Sequence, residues 1–555
     1  MPTLHGGHLI TRMLAREGVT HLFALPGGHN YEILDGCLDA GIRVVDVRHE
    51  QQAAHMADGW TRATGGLGVV AVDGAPGLAN ALPGIQVAYE SQVPLLVLTA
   101  QGSLAGRDIG VMQAIDQLEL VRPVTKWRRT CFDIARLPEY VGMALRQARS
   151  GRPGPVFLDF PLEVLRGTVE EGSVAFPQRY RTEARPFGDP AQVRAALDLL
   201  RQAERPLLVV GSGIWWARAG AELTRFVEAS GIPVLTRNLA RGLIADDHPL
   251  CVGVMPTAAF GADTYLVIGT RLDWTIGYGR PPLFAADARL IECDIIAEKI
   301  GKTRPVDVGI VGDARAVLQQ LTAALADAPI SVAPEWQARA KGSLAHLRQQ
   351  TAGRVNLAAR PADRPMHSLQ LCHVLAAELP REAATVIDGG YIAAFGLETL
   401  DARTPGGVVW VGSTGHLGVG MAFANAIKLA QPGRPVVALM GDGSFGLCAM
   451  EFDTAVRHHL PVVVVIANDQ GWGEIRDGQR RRWGAARVVG AELGLTRYDE
   501  LARALGGHGE FVERPEELRP ALRRALAAGR PAIVNVVTDR EQRSTTVSGM
   551  PWIVE

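Results

Sequence analysis

The stretch Val436–Gly446, VVALMGDGSFG, ends an apolar run on an acid held between two glycines and followed by a serine. A strand interior has no use for Gly-Asp-Gly, whereas a strand that gives way to a helix places Asp442 at the carboxyl end of a parallel strand, where open α/β sheets bind ligands. Gly441 and Gly443 allow close approach of the backbone, and the free N–H groups of a helix starting near Ser444 favour an anion. Taken alone, an acid that caps a helix would account for this turn. The downstream sequence is more specific. After a helical period, Ser444–Leu460, comes a second buried strand, PVVVVIA, which ends in NDQGWG, Asn468–Gly473. An adjacent parallel strand would bring Asn468 and Asp469 to the same edge as Asp442. Oxygen-bearing side chains joined by a backbone carbonyl from the glycine-rich turn suit a small hard cation, and Mg²⁺ keeps positions open for phosphate and water. The pattern predicts a metal clamp for a diphosphate.

Outward from this stretch, short β-branched runs alternate with helical periods. THLFAL, RVVDV, LGVVAVD, PLLVLTA and GPVFLDF occupy the first third, and RPLLVVGSGI, TYLVIGTRLDW and ARLIECDI the middle; ATVIDGG, PVVALMGDG, PVVVVIAN and PAIVNVV fill the last. Such alternation predicts parallel sheets wrapped by helices. Two segments interrupt it: FPQRYRTEARPFGDP, and the charged, partly helical run from APEWQ to PADRP. At 555 residues the chain is too long for one core. The expected class is α/β, with three open parallel-sheet domains over residues 1–170, 188–328 and 365–540 and a tail, 541–555, whose apolar end could close as a lid.

A formal net charge of −1 gives no electrostatic case for nucleic acid or for an acidic membrane surface. The apolar runs are strand-sized, and the N-terminus lacks the pattern of a secretory leader. Cys37, Cys131, Cys251, Cys293, Cys372 and Cys448 are scattered singly, as expected of reduced thiols in a cytoplasmic protein.

The pair MGDGSFG and IANDQGWG resembles the signature of the thiamine diphosphate-dependent enzymes of the acetolactate synthase and pyruvate decarboxylase type, which is GDG, a spacer and a pair of asparagines, the second of them a metal ligand. The resemblance runs from Gly6 almost to the C-terminus and implies a pyrimidine-binding first domain, a Rossmann-like central domain and a diphosphate-binding last domain. It assigns Mg²⁺ to Asp442, the carbonyl of Gly471 and Asp469, the last standing where the family has its second asparagine, with Asn468 as the rival. Gly441, Gly443, Ser444, Gly471, Trp472 and Gly473 would line the cofactor, and Gly390 with Tyr391, after a strand end, would form a second cradle. Leu417, two residues after Gly415, would wedge between the cofactor rings and bend it. Glu50, in RVVDVRHEQQ, matches the glutamate that hydrogen-bonds the pyrimidine N1′ and favours the imino form whose N4′ takes the thiazolium proton. In the family this acid acts across a subunit interface, which implies at least a homodimer and by resemblance a homotetramer.

Three further features resemble the 2-hydroxyacyl-CoA lyase, oxalyl-CoA decarboxylase and benzaldehyde lyase branch: LFALPGGHNYEI with His29, MQAIDQLELVRPVTKW with Gln113, and the middle and late runs GTRLDWTIGYGRPPLF and GLTRYDELARALGGHGEF. By that resemblance His29 relays a proton and Gln113 donates to a developing alkoxide. Leu162, Ala393 and Val411 stand where benzaldehyde lyase has aromatic and histidine residues, so the expected pocket is more aliphatic. The basic run Arg476–Arg487 could receive the phosphates of an acyl-CoA, or form a solvated or intersubunit surface. VVGSGIWW and Asp294 mark where relatives hold ADP or FAD, or nothing. The expected activity is a thiamine diphosphate- and Mg²⁺-dependent carbon–carbon lyase or carboligase on a small 2-hydroxyacyl compound, acyloin or aldehyde. The alternatives are an acetolactate synthase-type carboligase, a 2-keto acid or oxalyl-CoA decarboxylase, and a catalytically silent regulator on the same scaffold.

Overall fold

A computed structural model describes residues 3–356 and 364–543, so residues 544–555 of the expected lid lie outside the described residues. Strand β1 (Thr3–His5) opens the chain. The first large sheet contains β2 (His21–Ala24), β3 (Arg43–Asp46), β4 (Gly68–Ala71), β5 (Leu95–Gln101), β6 (Trp127–Thr130) and β7 (Val156–Pro161). All are parallel, in the order β3-β2-β4-β5-β7-β6. Strand β8 (Thr168–Glu170) returns antiparallel to β1. The second sheet holds β9 (Pro206–Val210), β10 (Val234–Thr236), β11 (Thr264–Ile268), β12 (Arg289–Asp294) and β13 (Val308–Val311) in the order β10-β9-β11-β12-β13. The third holds β14 (Ala384–Asp388), β15 (Val408–Trp410), β16 (Val436–Gly441), β17 (Val463–Asn468), β18 (His508–Val512) and β19 (Ala532–Val537) in the order β15-β14-β16-β17-β19-β18.

The two six-stranded sheets therefore share one topology: the second strand of each lies outside its first, and the third pairs with the first on the other side. That reversal creates a crevice at the carboxyl ends of β2 and β4 in one sheet and of β14 and β16 in the other, where α/β sheets bind ligands. The inner strands are near-continuous Val, Ile, Leu and Ala because helices cover both faces and water reaches neither.

By compactness the chain divides into two units. The first comprises residues 1–183 together with 414–432 and 448–460, segments that in sequence connect strands of the third sheet. Within it, the helix Glu50–Thr64 packs on the helix Gly420–Ala430; a side chain on Gly59 would stand 3.0 Å from Phe423 Cα and Ala426 Cβ, so the contact needs a glycine there. The second unit carries the remaining residues, including the second and third sheets. No described helix is long and apolar enough to cross a membrane.

The helical period expected to run on from Ser444 is broken in the structure. A short helix, Asp442–Gly446, starts at the acid itself, and Glu451–Arg457 is a separate helix. Gly446 closes the first piece under the ring of Tyr498, whose hydroxyl would stand 3.4 Å from a side-chain carbon at that position.

Candidate active site

The register of β16 against β17 pairs Gly441 with Ala467, so both strands end level and pass directly into their turns. Asp442 is 3% and Asp469 8% exposed. Asp442 Oδ2 accepts the Gly471 N–H at 3.0 Å, and the two carboxyls are close enough to shift one another's ionisation. Burial pushes both carboxyls up; at Asp442 the neighbouring Asp469 adds to the rise, and at Asp469 the guanidinium of Arg476 opposes it. Among the described residues no lysine or arginine pairs with Asp442. Two buried carboxylates facing one another across adjacent strand ends, with a glycine-rich turn above them, are a donor set that fits a divalent cation.

Asn468 is brought to the same edge but is turned elsewhere. Its amide donates to the Thr496 carbonyl and to Asn535 Oδ1, both at 3.1 Å, and its oxygen accepts the Gln470 N–H at 3.2 Å. It anchors the turn to β19 and leaves the inward position to Asp469.

The glycines around the pair are each filled by a neighbour. A side chain on Gly443 would stand 2.6 Å from the Trp472 ring, and one on Gly390 would stand 2.4 Å from Glu474 Oε2. Ser444 ties the crevice shut from below: its hydroxyl donates to the Asp388 and Gly441 carbonyls and accepts the Gly441 N–H, each at 3.1 Å. Gly390 caps the helix Tyr391–Thr399 without a side-chain cap, and the Tyr391 hydroxyl donates to Asp477 Oδ2 at 2.6 Å. Gly441, Gly443, Ser444, Gly390, Tyr391, Gly471, Trp472 and Gly473 thus all gather at one crevice in the second unit.

Glu50, His29, Gln113, Gly415 and Leu417 lie in the first unit. Glu50 begins the helix after β3, is 8% exposed, and accepts from Asn80 Nδ2 at 3.0 Å. Two contacts fix its neighbours: Gln52 donates to the Gly418 carbonyl at 3.0 Å, next to Leu417, and the Arg48 N–H donates to Glu451 Oε1 at 3.0 Å. Leu417 is half-buried, and Gly415 is exposed with φ +61, a left-handed turn that a glycine enters freely. His29 follows β2 at the other crevice. Its N–H donates to Asp73 Oδ1 at 2.7 Å, while its buried Nδ1 stands 3.8 Å from that oxygen and has no hydrogen-bond partner among the described residues. Gln113 lies in the loop after β5 with φ +62 and is half-buried.

Two residues here escaped sequence reasoning. Gln117, four residues beyond Gln113, is buried, accepts the Ala75 N–H at 3.1 Å and donates to Asp159 Oδ1 at 2.9 Å, holding the strained left-handed turn at Ala75. Glu451 anchors Arg48, and burial pushes its carboxyl from 4.5 up to about 7. A raised carboxyl stabilises the fold fully below its unfolded value and loses that contribution as pH rises through 7. Glu451→Gln is therefore expected to raise the melting temperature at pH 8, by roughly 1–3 kcal/mol in stability, and to change little near pH 5. A pH-independent difference between the two proteins would assign the effect to packing instead.

Other expectations fare differently. Arg476 is 2% exposed and held by Asp469 and Glu492, so it cannot receive a CoA phosphate. Arg480 pairs with Glu541 and Arg481 with Asp477, so much of the basic run is spent inside the chain. In the second sheet, a side chain on Gly211 would stand 2.5 Å from Thr270 Oγ1 and one on Gly213 would stand 2.6 Å from Gly269 Cα. Those glycines allow two turns to pack, and Asp294 caps its own turn through the Ile296 N–H at 2.9 Å. Ala393 and Val411 are buried and Leu162 half-buried. His5, His8 and Asp35 lie close enough to share an ion, but the imidazole centroids are 3.7 Å apart. Two rings on one tetrahedral ion stand about 5 Å apart, so the cluster reads as hydrogen-bonded His–Asp pairs.

Models of thiamine pyrophosphate enzymes match the chain in three places: the N-terminal TPP binding domain over residues 4–120, the central domain over 193–321 and the C-terminal TPP binding domain over 388–536. The chain is 38% identical over 540 residues to the acetolactate synthase large subunit of Mycobacterium tuberculosis, covering 97% of this chain and 96% of the relative. It is 32% identical over 557 residues to 2-hydroxyacyl-CoA lyase of Arabidopsis thaliana, covering 97% and 96%. Against 2-hydroxyacyl-CoA lyase 1 of Homo sapiens the identity is 29% over 568 residues, covering 99% and 96%.

Proposed function

The chain belongs to the thiamine pyrophosphate enzymes, and from that premise we propose that it is a Mg²⁺-dependent carbon–carbon lyase or carboligase acting on small 2-hydroxyacyl compounds. The observation that supports this reading is the buried Asp442–Asp469 pair at the level ends of β16 and β17, a donor set that fits a divalent cation. Asp442, Asp469 and the Gly471 carbonyl would hold the ion. Gly390, Tyr391, Gly441, Gly443, Ser444, Trp472 and Gly473 would line the diphosphate, and Gly415 with Leu417 the rings. When bound, thiamine diphosphate supplies a nucleophilic carbon and an electron sink for the bond beside a carbonyl. Glu50, 8% exposed at the start of its helix, would hold a proton at the pyrimidine N1′. His29, whose buried Nδ1 makes no hydrogen bond among the described residues, moves a proton at the substrate oxygen, and Gln113 donates to that oxygen as charge develops. Because Glu50 serves a cofactor held by a second copy, the active form is a homodimer or a larger even assembly such as a tetramer.

A second reading is an acetolactate synthase-type carboligase, favoured by the 38% identity to a protein of that name. The two part on substrate. Purified protein with Mg²⁺ and thiamine diphosphate is offered 2-hydroxyacyl-CoAs, acyloins and 2-keto acids, and the products are identified by mass spectrometry. Aldehyde release from a 2-hydroxyacyl compound supports the first reading. Release of CO₂ from pyruvate with formation of acetolactate supports the second, and turnover of none of them removes both.

A further inference from the structure

We infer that Arg476 is a built-in counter-charge that permits an aspartate, rather than an amide, to serve as the second metal ligand at this edge. The inference rests on the metal-site reading above and concerns how this chain tolerates its own departure from the Asp-and-Asn pattern.

The arginine stands in the helix Gly473–Trp483, one turn beyond the loop it serves. Its Nη2 donates to Asp469 Oδ2 at 3.0 Å and to the Arg540 carbonyl at 2.7 Å. The same guanidinium reaches the Asp469 carbonyl at 3.4 and 3.5 Å and Glu492 at 3.4 Å. With 2% exposure this is an interior charge, which a protein keeps only where it is paired and hydrogen-bonded.

The loop is shaped around the pair. A side chain on Gly471 would stand 2.6 Å from Arg476 Nη1, and one on Gly473 would stand 2.1 Å from Asp469 Oδ2. Gly473 thus leaves room for Asp469, and Gly471 for both Arg476 and the Ala491 carbonyl, which would stand 2.5 Å from a side chain there. Because Arg476 grips Oδ2, the other oxygen of Asp469 is the one left for Asp442 and for an ion between them.

Charge explains why such a partner is needed. A divalent ion on one carboxylate and one amide keeps a net positive charge toward a diphosphate. On two carboxylates it keeps none, and a diphosphate is then held less well. One buried guanidinium in direct contact with the added carboxylate restores the balance, and it fixes the ligand oxygen as outer-shell partners of metal ligands do.

The test compares the parent, Arg476→Gln, Asp469→Asn and the double variant by calorimetry. Mg²⁺ is titrated into the full-length protein at fixed thiamine diphosphate, and far-UV circular dichroism checks the fold. Arg476→Gln is expected to weaken Mg²⁺-dependent binding by about 10–100-fold. The double variant, with neither charge, is expected to recover most of that loss. Parent-like binding by Arg476→Gln, or a double variant no better than Arg476→Gln, overturns the inference while the site reading stands. Absence of Mg²⁺-dependent binding by the parent overturns both. Should Arg476→Gln fail to fold, Arg476→Lys keeps the charge without the fork, and binding within about threefold of the parent is then expected; a full loss in that variant overturns the charge argument.

Discussion

Glu50→Gln is expected to lower turnover by about 10²–10⁴-fold, the usual contribution of a positioned acid or base, while Mg²⁺-dependent binding of thiamine diphosphate survives. The amide is isosteric and can still accept from Asn80, so the first turn of the helix Glu50–Thr64 keeps its geometry. What it loses is the ability to hold and return a proton. Steady-state rates on the substrate found by the product survey, beside calorimetric cofactor binding, separate these effects. A variant with full activity removes Glu50 from the mechanism, and one that binds no cofactor makes it a structural residue.

The second large effect is expected at Asp442, where one substitution should move two quantities in opposite directions. Asp442→Asn keeps an acceptor for the Gly471 N–H but removes the carboxylate to which no cationic side chain is matched. Mg²⁺ affinity should fall by more than the roughly 10–100-fold that loss of an outer-shell partner costs. The metal-free protein should become more stable, because burial and the adjacent Asp469 raise the cost of a charge at this position. Since the folded carboxyl is raised, to about 8, the parent loses stability as pH climbs from its unfolded value of 3.8 through that range, and the asparagine variant does not. Without metal the two should melt together near pH 4 and diverge as pH rises from there toward 8, the variant higher. A variant that binds Mg²⁺ normally, or melts lower without it, contradicts the assignment of Asp442 as a ligand.

Apart from the edge strand β3, which RVVDV announces, the strands that sequence reading found and those it missed differ in one physical respect. PLLVLTA, PLLVV, TYLVI, VVALM and VVVIAN are inner strands covered on both faces, and they are written in Val, Ile and Leu because nothing else can be buried there. The missed β6, β10, β13, β15 and β18 are all edges of their sheets. A sequence such as Trp-Arg-Arg-Thr in β6, or His-Gly-Glu-Phe-Val in β18, keeps its polar side because one flank meets solvent. Similarly, the two glutamines of MQAIDQLEL are equivalent in text; only folding buries Gln117 against Ala75 and leaves Gln113 on the loop.

By itself the chain's chemistry determined the architecture and the strand edge where oxygens gather. Continuous apolar runs that alternate with helical periods favour parallel sheets, and a Gly-Asp-Gly turn at the end of one such run, with Asn-Asp-Gln-Gly at the end of the next, brings oxygens to one edge. Tertiary structure decided how those oxygens are used. It turned Asn468 toward Asn535 and aimed Asp469 inward, and it took Arg476 out of a basic run that reads as solvated surface and sealed it against that aspartate. Pairing of charges across a loop depends on distances in space, which neither spacing nor composition encodes.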